Sequence, residues 1–336
     1  MSLLQLTSLG VVAKGTDIAI AHLVAPFISV YPWSSGFGTK YANPSTAVPT
    51  TGRGVAFSPS GNDIAIAHSN SPFISVYPWS SGFGTKYADP STAIPSTGLG
   101  VAFSPSGNDV AIVHFVAPFI SVYPWSSGFG TKYANPSTAV PDFGNGVAFS
   151  PSGNDIAIAH SNSPFISVYP WSSGFGTKYA NPSTAIPSTG LGVAFSPSGN
   201  DVAIVHLVAP FISVYPWSSG FGTKYADPST AVPDSGLSVA FSPSGNDVAI
   251  AHASAPNISV YPWSSGFGTK YANPSTAIPT TGRGVAFSPS GNDIAVAHSG
   301  TPFISVYPWS SGFGTKYADP STAVPDSGLS VAFSPS

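Results

Sequence analysis

Residues 15–60 read GTDIAIAHLVAPFISVYPWSSGFGTKYANPSTAVPTTGRGVAFSPS, and the chain repeats this phrase, nearly unaltered, to its last residue. Copies start at Gly61, Gly107, Gly153, Gly199, Gly245 and Gly291, so seven units of 46 residues fill residues 15–336 with no linker. Each unit carries five prolines, and nowhere do more than ten residues pass without Gly or Pro. Proline costs roughly 3 kcal/mol inside a helix, which excludes helical repeats.

Short β-type runs remain between the breakers. In the second unit they are DIAIAH (63–68), FISVY (73–77), TKYAD (85–89) and, leading into the third, GVAF (100–103). The runs are bounded by SPSGND and SSGFG, which carry turn chemistry. Ile64-Ala65-Ile66-Ala67 is apolar on both faces, as expected of a strand packed on both sides. Four short strands in a unit of ~40–50 residues predict a propeller blade. The expected fold is all-β, a seven-bladed β-propeller with four antiparallel strands per blade. Residues 15–336 form the single propeller, and residues 1–14 an N-terminal segment with a partial inner-strand copy. One inner-strand slot is contested by SLGVVAK (8–14) and SVAFSPS (330–336). The second has the full consensus, including Phe333, and is expected to close the ring.

Composition narrows the function. There is no cysteine and no glutamate, 7% of residues are charged and the formal net charge is −3. Ten scattered Lys and Arg give no footprint for nucleic acid. Gly, Pro and polar residues break every apolar run short of the ~18 residues a membrane span needs, so membrane insertion is not expected. The first residues lack a basic stretch before their apolar run and read as mature protein.

One His per unit (His68 in the second) invites a metal or catalytic reading, but a site needs several ligands, and a locally bonded strand-end residue fits better. Asp63 and His68 stand at opposite ends of one strand, about 16 Å apart at ~3.3 Å per residue, so they cannot form a dyad. The aspartates of G-N-D are expected to satisfy backbone N–H groups in the turn. The tryptophans after Tyr-Pro, such as Trp79, could stack on sugars, but are expected to pack under SSGFG instead. Asn257, in the glycosylation pattern NIS, interrupts a Phe position and reads as chance. Catalysis usually needs different groups on different sides of a substrate, and near-identical blades supply the same groups seven times. No enzyme, metal or cofactor is therefore expected.

At VAFSPSGNDIAIAH and ISVYPW the unit resembles WD40- and YVTN-type propeller repeats, over residues 15–336. Tyr77-Pro78 stands where Trp-Asp would be, so the linked Asp–His–Ser–Trp network of WD40 blades is expected to be absent. The wording also resembles repeats of tailed-bacteriophage and prophage proteins. That resemblance implies a virion-associated receptor- or glycan-binding module, non-catalytic and multivalent, acting on the virion or in the host cytoplasm during assembly. An inert structural or scaffold propeller is the alternative. Expected partners are a cell-surface glycan, a host receptor or other virion proteins, met by a monomer.

Variation between copies marks the candidate site. SPSGND and SSGFG, the loops of one face, hardly vary. On the other face, the loops after the histidines present Leu23, Phe115 and Leu207, against small polar residues elsewhere. The loops entering the inner strands present Arg53, Leu99, Asn145, Leu191, Leu237, Arg283 and Leu329, with Phe143 beside Asn145. This varied face is the expected docking surface.

Overall fold

The computed structural model describes residues 16–335. Seven three-stranded antiparallel sheets follow one another around an axis. In the second blade the inner, middle and outer strands are Gly52–Phe57, Asp63–His68 and Ile74–Pro78. In the first blade the middle and outer strands are Thr16–His22 and Ile28–Trp33, and the inner strand is Gly328–Phe333 from the far end of the chain. It pairs Phe333 with Ile18 and Val331 with Ile20. The C-terminal copy thus fills the contested slot; the rival segment 8–14 lies outside the described residues. No helix occurs among those described.

The middle strands alternate large and small apolar residues, all fully buried, save that Val113 and Val205 replace the last alanine in blades 3 and 5, and the alternation decides how blades meet. Ile64 and Ile66 point to one side and pack against Ala19, Ala21, Ile28 and Val30 of the preceding blade. Ala65, on the other side, packs against Ile112 and Tyr123 of the following blade. Large faces thus seat against small ones all the way round. The cluster of Ile18, Ile20, Tyr31 and Trp33 with Ala295, Ala297 and Ile304 closes the ring by the same fit. At about 25 cal/mol per Å² of apolar area buried, these seven interfaces are the main source of stability.

The fourth strand is corrected. The TKYA segment and the glycine before it make two backbone bonds to the outer strand in the second blade, Gly84 N to Pro78 O (2.9 Å) and Tyr87 N to Val76 O (3.0 Å). These bonds stand one residue out of register with each other, and Pro78 has no N–H to return one. No regular ladder forms, and the blade has three strands with an irregular edge that covers the outermost one.

The aspartate expectation is corrected as well. Asp63 is buried, and its carboxylate accepts side-chain rather than backbone donors: Tyr87 Oη (2.8 Å) and, from the next blade, Trp125 Nε1 (3.1 Å). Every blade junction has this bond, including the closing one, where Trp33 donates to Asp293 Oδ2 at 3.0 Å. Its partner is a whole blade away in sequence, which is why local turn chemistry missed it. The tryptophans are buried and meet Phe of their own SSGFG turn edge-on, at 5.0 Å for Trp79 and Phe83, which leaves no face for a sugar.

His68 is fully buried and pairs through Nε2 with Ser75 Oγ at 3.0 Å. The residue types of the WD40 network are therefore all engaged, but as two separate pairs, His with Ser and Trp with Asp. Asn257 precedes its outer strand rather than interrupting it. It is buried at φ 67, and its Nδ2 donates to Ile278 O at 3.0 Å. Asn tolerates that left-handed backbone better than the Phe of the other units.

Candidate functional site

The seven inner strands share one irregularity. Gly52 pairs with His68 and Gly54 with Ala67, so Arg53 is the extra residue of a β-bulge. Leu99, Asn145, Leu191, Leu237, Arg283 and Leu329 occupy the same bulge in their blades. These residues belong to the inner strands, not to the loops before them, which corrects the sequence assignment. A bulge turns its extra side chain out of the pleat, and here all seven line one cavity of about 210 Å³ at the mouth of the central channel.

Next to this ring the channel is lined by Gly54, Gly100, Gly146, Gly192, Ser238, Gly284 and Ser330. A Cβ on Gly54 would stand 3.0 Å from Leu99 O of the next blade. At Ser238 and Ser330 a side chain is present, and its Oγ accepts from Val285 N (3.3 Å) and Val55 N (3.4 Å). Both acceptors therefore tie down an arginine-bearing strand.

The arginines are held but not neutralised. Arg53 Nε donates to Ser69 Oγ at 2.7 Å and Arg283 Nε to Ser299 Oγ at 2.6 Å. The ion pairs among the described residues join lysines to aspartates and include neither arginine. Partial burial lowers the Arg53 pKa, yet a guanidinium stays charged at any physiological pH. In ring order Arg283 and Arg53 flank Leu329, and Asn145 stands across the axis. Asn145 Nδ2 donates to Ser161 Oγ (3.1 Å) and to Gly190 O (2.9 Å).

Ser69, Ser161 and Ser299 were missed from the sequence, although a signal was there. Each lies sixteen residues after a polar ring residue. Where the ring residue is Leu, the same position holds Phe115, Leu207, Ala253 or, around the closure, Leu23. The mouth and the neighbouring loop therefore vary together.

The other predicted site residues do not join the mouth. Leu23, Phe115 and Leu207 stand at loop tips, 39%, 41% and 44% exposed. Phe143 packs edge-on against Phe115 at 5.2 Å. The histidines are fully buried, and burial pushes them down to about 4, so they are neutral and closed to a ligand. No cluster of three metal-ligating side chains occurs among the described residues.

The fold so defined is a seven-bladed β-propeller of near-identical repeats. No protein-family model matches the chain, and no curated protein matches it by sequence. Solved structures match closely in shape. A Bacteroides uniformis protein provisionally named a 6-phosphogluconolactonase is 16% identical with a TM-score of 0.70, covering 95% of this chain and 99% of its own. A Bacteroides fragilis protein of the same provisional name is 11% identical with a TM-score of 0.72, over 96% and 98%. The periplasmic gluconolactonase of Pseudomonas aeruginosa is 12% identical with a TM-score of 0.68, over 95% and 99%.

At these identities the likeness establishes the fold. It also removes the ground for expecting a non-catalytic binding module or inert scaffold, because propellers that match from end to end include proteins named as lactonases. The sevenfold symmetry of the repeated phrase also stops short of the axis, because the side chains facing it differ from blade to blade.

Proposed function

We propose that the chain binds a small anionic sugar lactone, carrying phosphate or carboxylate, at the axial mouth and hydrolyses the lactone ring there. The observation that carries this reading is the pair of guanidiniums, Arg53 and Arg283, in one ring without a carboxylate partner. Arginine forks match phosphate and carboxylate oxygens bidentately. The names of the structural neighbours supply the substrate class.

Among the described residues lining the mouth there is no imidazole or carboxylate, so the nucleophile is hydroxide from solvent. It attacks the lactone carbonyl carbon, and the negative charge gathers on the carbonyl oxygen. A guanidinium N–H stabilises that oxyanion as a preorganised donor. The ring C–O bond then breaks, and the leaving alkoxide takes a proton from water, giving the hydroxy acid. The tailed-phage wording of the repeats adds a proposed setting, a phage- or prophage-borne chain, which neighbouring tail genes would support.

The test is hydrolysis of 6-phosphoglucono-δ-lactone and glucono-δ-lactone, followed by base uptake near pH 6.5. The expected result is a rate above buffer, higher for the phosphorylated lactone. Replacing both Arg53 and Arg283 by Met should remove that excess with the fold intact by circular dichroism. A wild-type rate equal to buffer for both lactones overturns the reading.

A further inference from the structure

All six large apolar side chains that the described residues leave exposed lie in three loops of one face. They are Leu23 and Val24 in blade 1, Phe115 and Val116 in blade 3, and Leu207 and Val208 in blade 5. These loops are braced. Val116 N donates to Ser96 Oγ at 2.9 Å, Leu207 N to Ser188 Oγ at 3.1 Å, and Phe143 buttresses Phe115. The equivalent loops of blades 2 and 4 both read Ser-Asn-Ser (69–71 and 161–163). Those of blades 6 and 7 are small, Ala-Ser-Ala (253–255) and Ser-Gly-Thr (299–301). Read around the disc, the pattern is a palindrome centred on blade 3.

A palindrome is what a two-fold interface requires, because each patch must meet its symmetry mate. When two identical discs meet face to face, the two-fold axis passes over one blade, and blades equally far on either side exchange. Only the axis over blade 3 places every apolar loop on an apolar loop. There Leu23 and Val24 meet the partner's Leu207 and the partner's Val208, and Phe115 meets the partner's Phe115. Ser-Asn-Ser meets Ser-Asn-Ser, and the two small loops meet each other. Any other axis leaves at least one large apolar loop against a small or polar one.

Charge is compatible with the same axis. Over blade 3, Arg53 faces the partner's Asn145 and Arg283 faces the partner's Leu237, so no guanidinium meets another. An axis over blade 1 would set Arg53 against the partner's Arg283. Asp234, bonded to Ser254 of the blade 6 loop, faces the partner's blade 7, and Asp326, before the inner strand of blade 1, faces the partner's blade 5, so no carboxylate meets another. Each carboxylate is already bonded within its own protomer, Asp234 by Ser235 and Ser254 and Asp326 by Ser327.

We propose that this face is the docking site for a second copy of the chain, giving a two-fold dimer with Phe115 on the axis. This replaces the monomer expected from sequence and does not depend on the lactone reading. The two channel mouths then face each other.

The test uses the full chain at micromolar concentration in sedimentation velocity, where a species of twice 34.1 kDa is expected. A variant with L23S, F115S and L207S should sediment as a monomer with unchanged circular dichroism and melting temperature. The chain has no cysteine, so single cysteines report the axis cleanly. On oxidation F115C should cross-link to itself. L23C and L207C should each fail alone and cross-link when mixed. A monomeric wild type overturns the proposal, as does a dimer in which L23C links to itself and F115C does not. A monomer that floats with phosphatidylcholine vesicles also overturns it and assigns the loops to a lipid surface.

Discussion

Lowering the pH should unfold this protein abruptly, well above the range where ordinary carboxylates protonate. The seven histidines are fully buried, and burial pushes each from 6.5 to about 4. A folded pKa below the unfolded one means that the unfolded chain takes up protons first. The stabilisation is complete above pH 6.5 and is lost as pH falls toward about 4. At about 1.4 kcal/mol per pKa unit, each histidine accounts for about 3 kcal/mol, and seven for about 20 kcal/mol at the acid limit. Near pH 5.5 the loss is already about 10 kcal/mol, comparable to the ~5–15 kcal/mol net stability of ordinary domains. Tryptophan fluorescence against pH should therefore show one steep transition between about pH 6 and pH 5, with an uptake of several protons. The variant His68→Asn should lower the proton uptake by about one. A fold that stays intact to pH 4.5, or a transition that takes up only one or two protons, would refute the reasoning.

Two further outcomes concern how the ring is made. Truncation after Leu329 removes most of the closing inner strand, including Val331 and Phe333, from the cluster that joins blades 7 and 1. It should cost at least the ~3–5 kcal/mol of a Phe-to-Ala core change and lower the melting temperature accordingly, whereas an unchanged melting temperature would mean another segment supplies the strand. Just after the bulge, Gly54→Ser should be nearly neutral because Ser238 and Ser330 already occupy equivalent positions. Gly98→Ala should be far worse, since its Cβ would meet the Phe73 carbonyl oxygen closer than any real contact. Equal melting temperatures for the two variants would contradict the close approach.

The blade count, the all-β class and the closing strand were legible because they depend on periodicity, which sequence displays directly. Elements that depend on register were not. Lys86-Tyr87-Ala88 alternates like a strand, but whether it joins the ladder depends on the missing N–H of Pro78 and a one-residue slip. The pairing of Asp63 with Trp125 spans 62 residues, so no local rule proposes it. The ring residues stood out by their variation yet were placed in the loops before the inner strands, because local sequence does not show register. Only the pairing of Gly52 with His68 and Gly54 with Ala67 reveals the bulge between them.

That bulge explains how a nearly sevenfold sequence can hold a site with no sevenfold symmetry. The residue before Arg53 approaches the Phe27 carbonyl oxygen so closely that a Cβ there would clash, and the residue after it packs against the next inner strand. Both flanking positions are pinned to glycine or serine by contacts that recur at every blade. The bulged residue lies between them, outside the ladder and facing the channel, so its side chain can vary more than theirs. The loop beside it constrains the choice: a charged or amide side chain is supported where that loop supplies a serine hydroxyl, as at Ser69, Ser161 and Ser299. Leucine stands where the loop supplies carbon, as at Leu99 beside Phe115. A new polar group at the mouth should therefore require two changes sixteen residues apart, and Leu99→Arg alone would leave its guanidinium without the hydroxyl that orients Arg53.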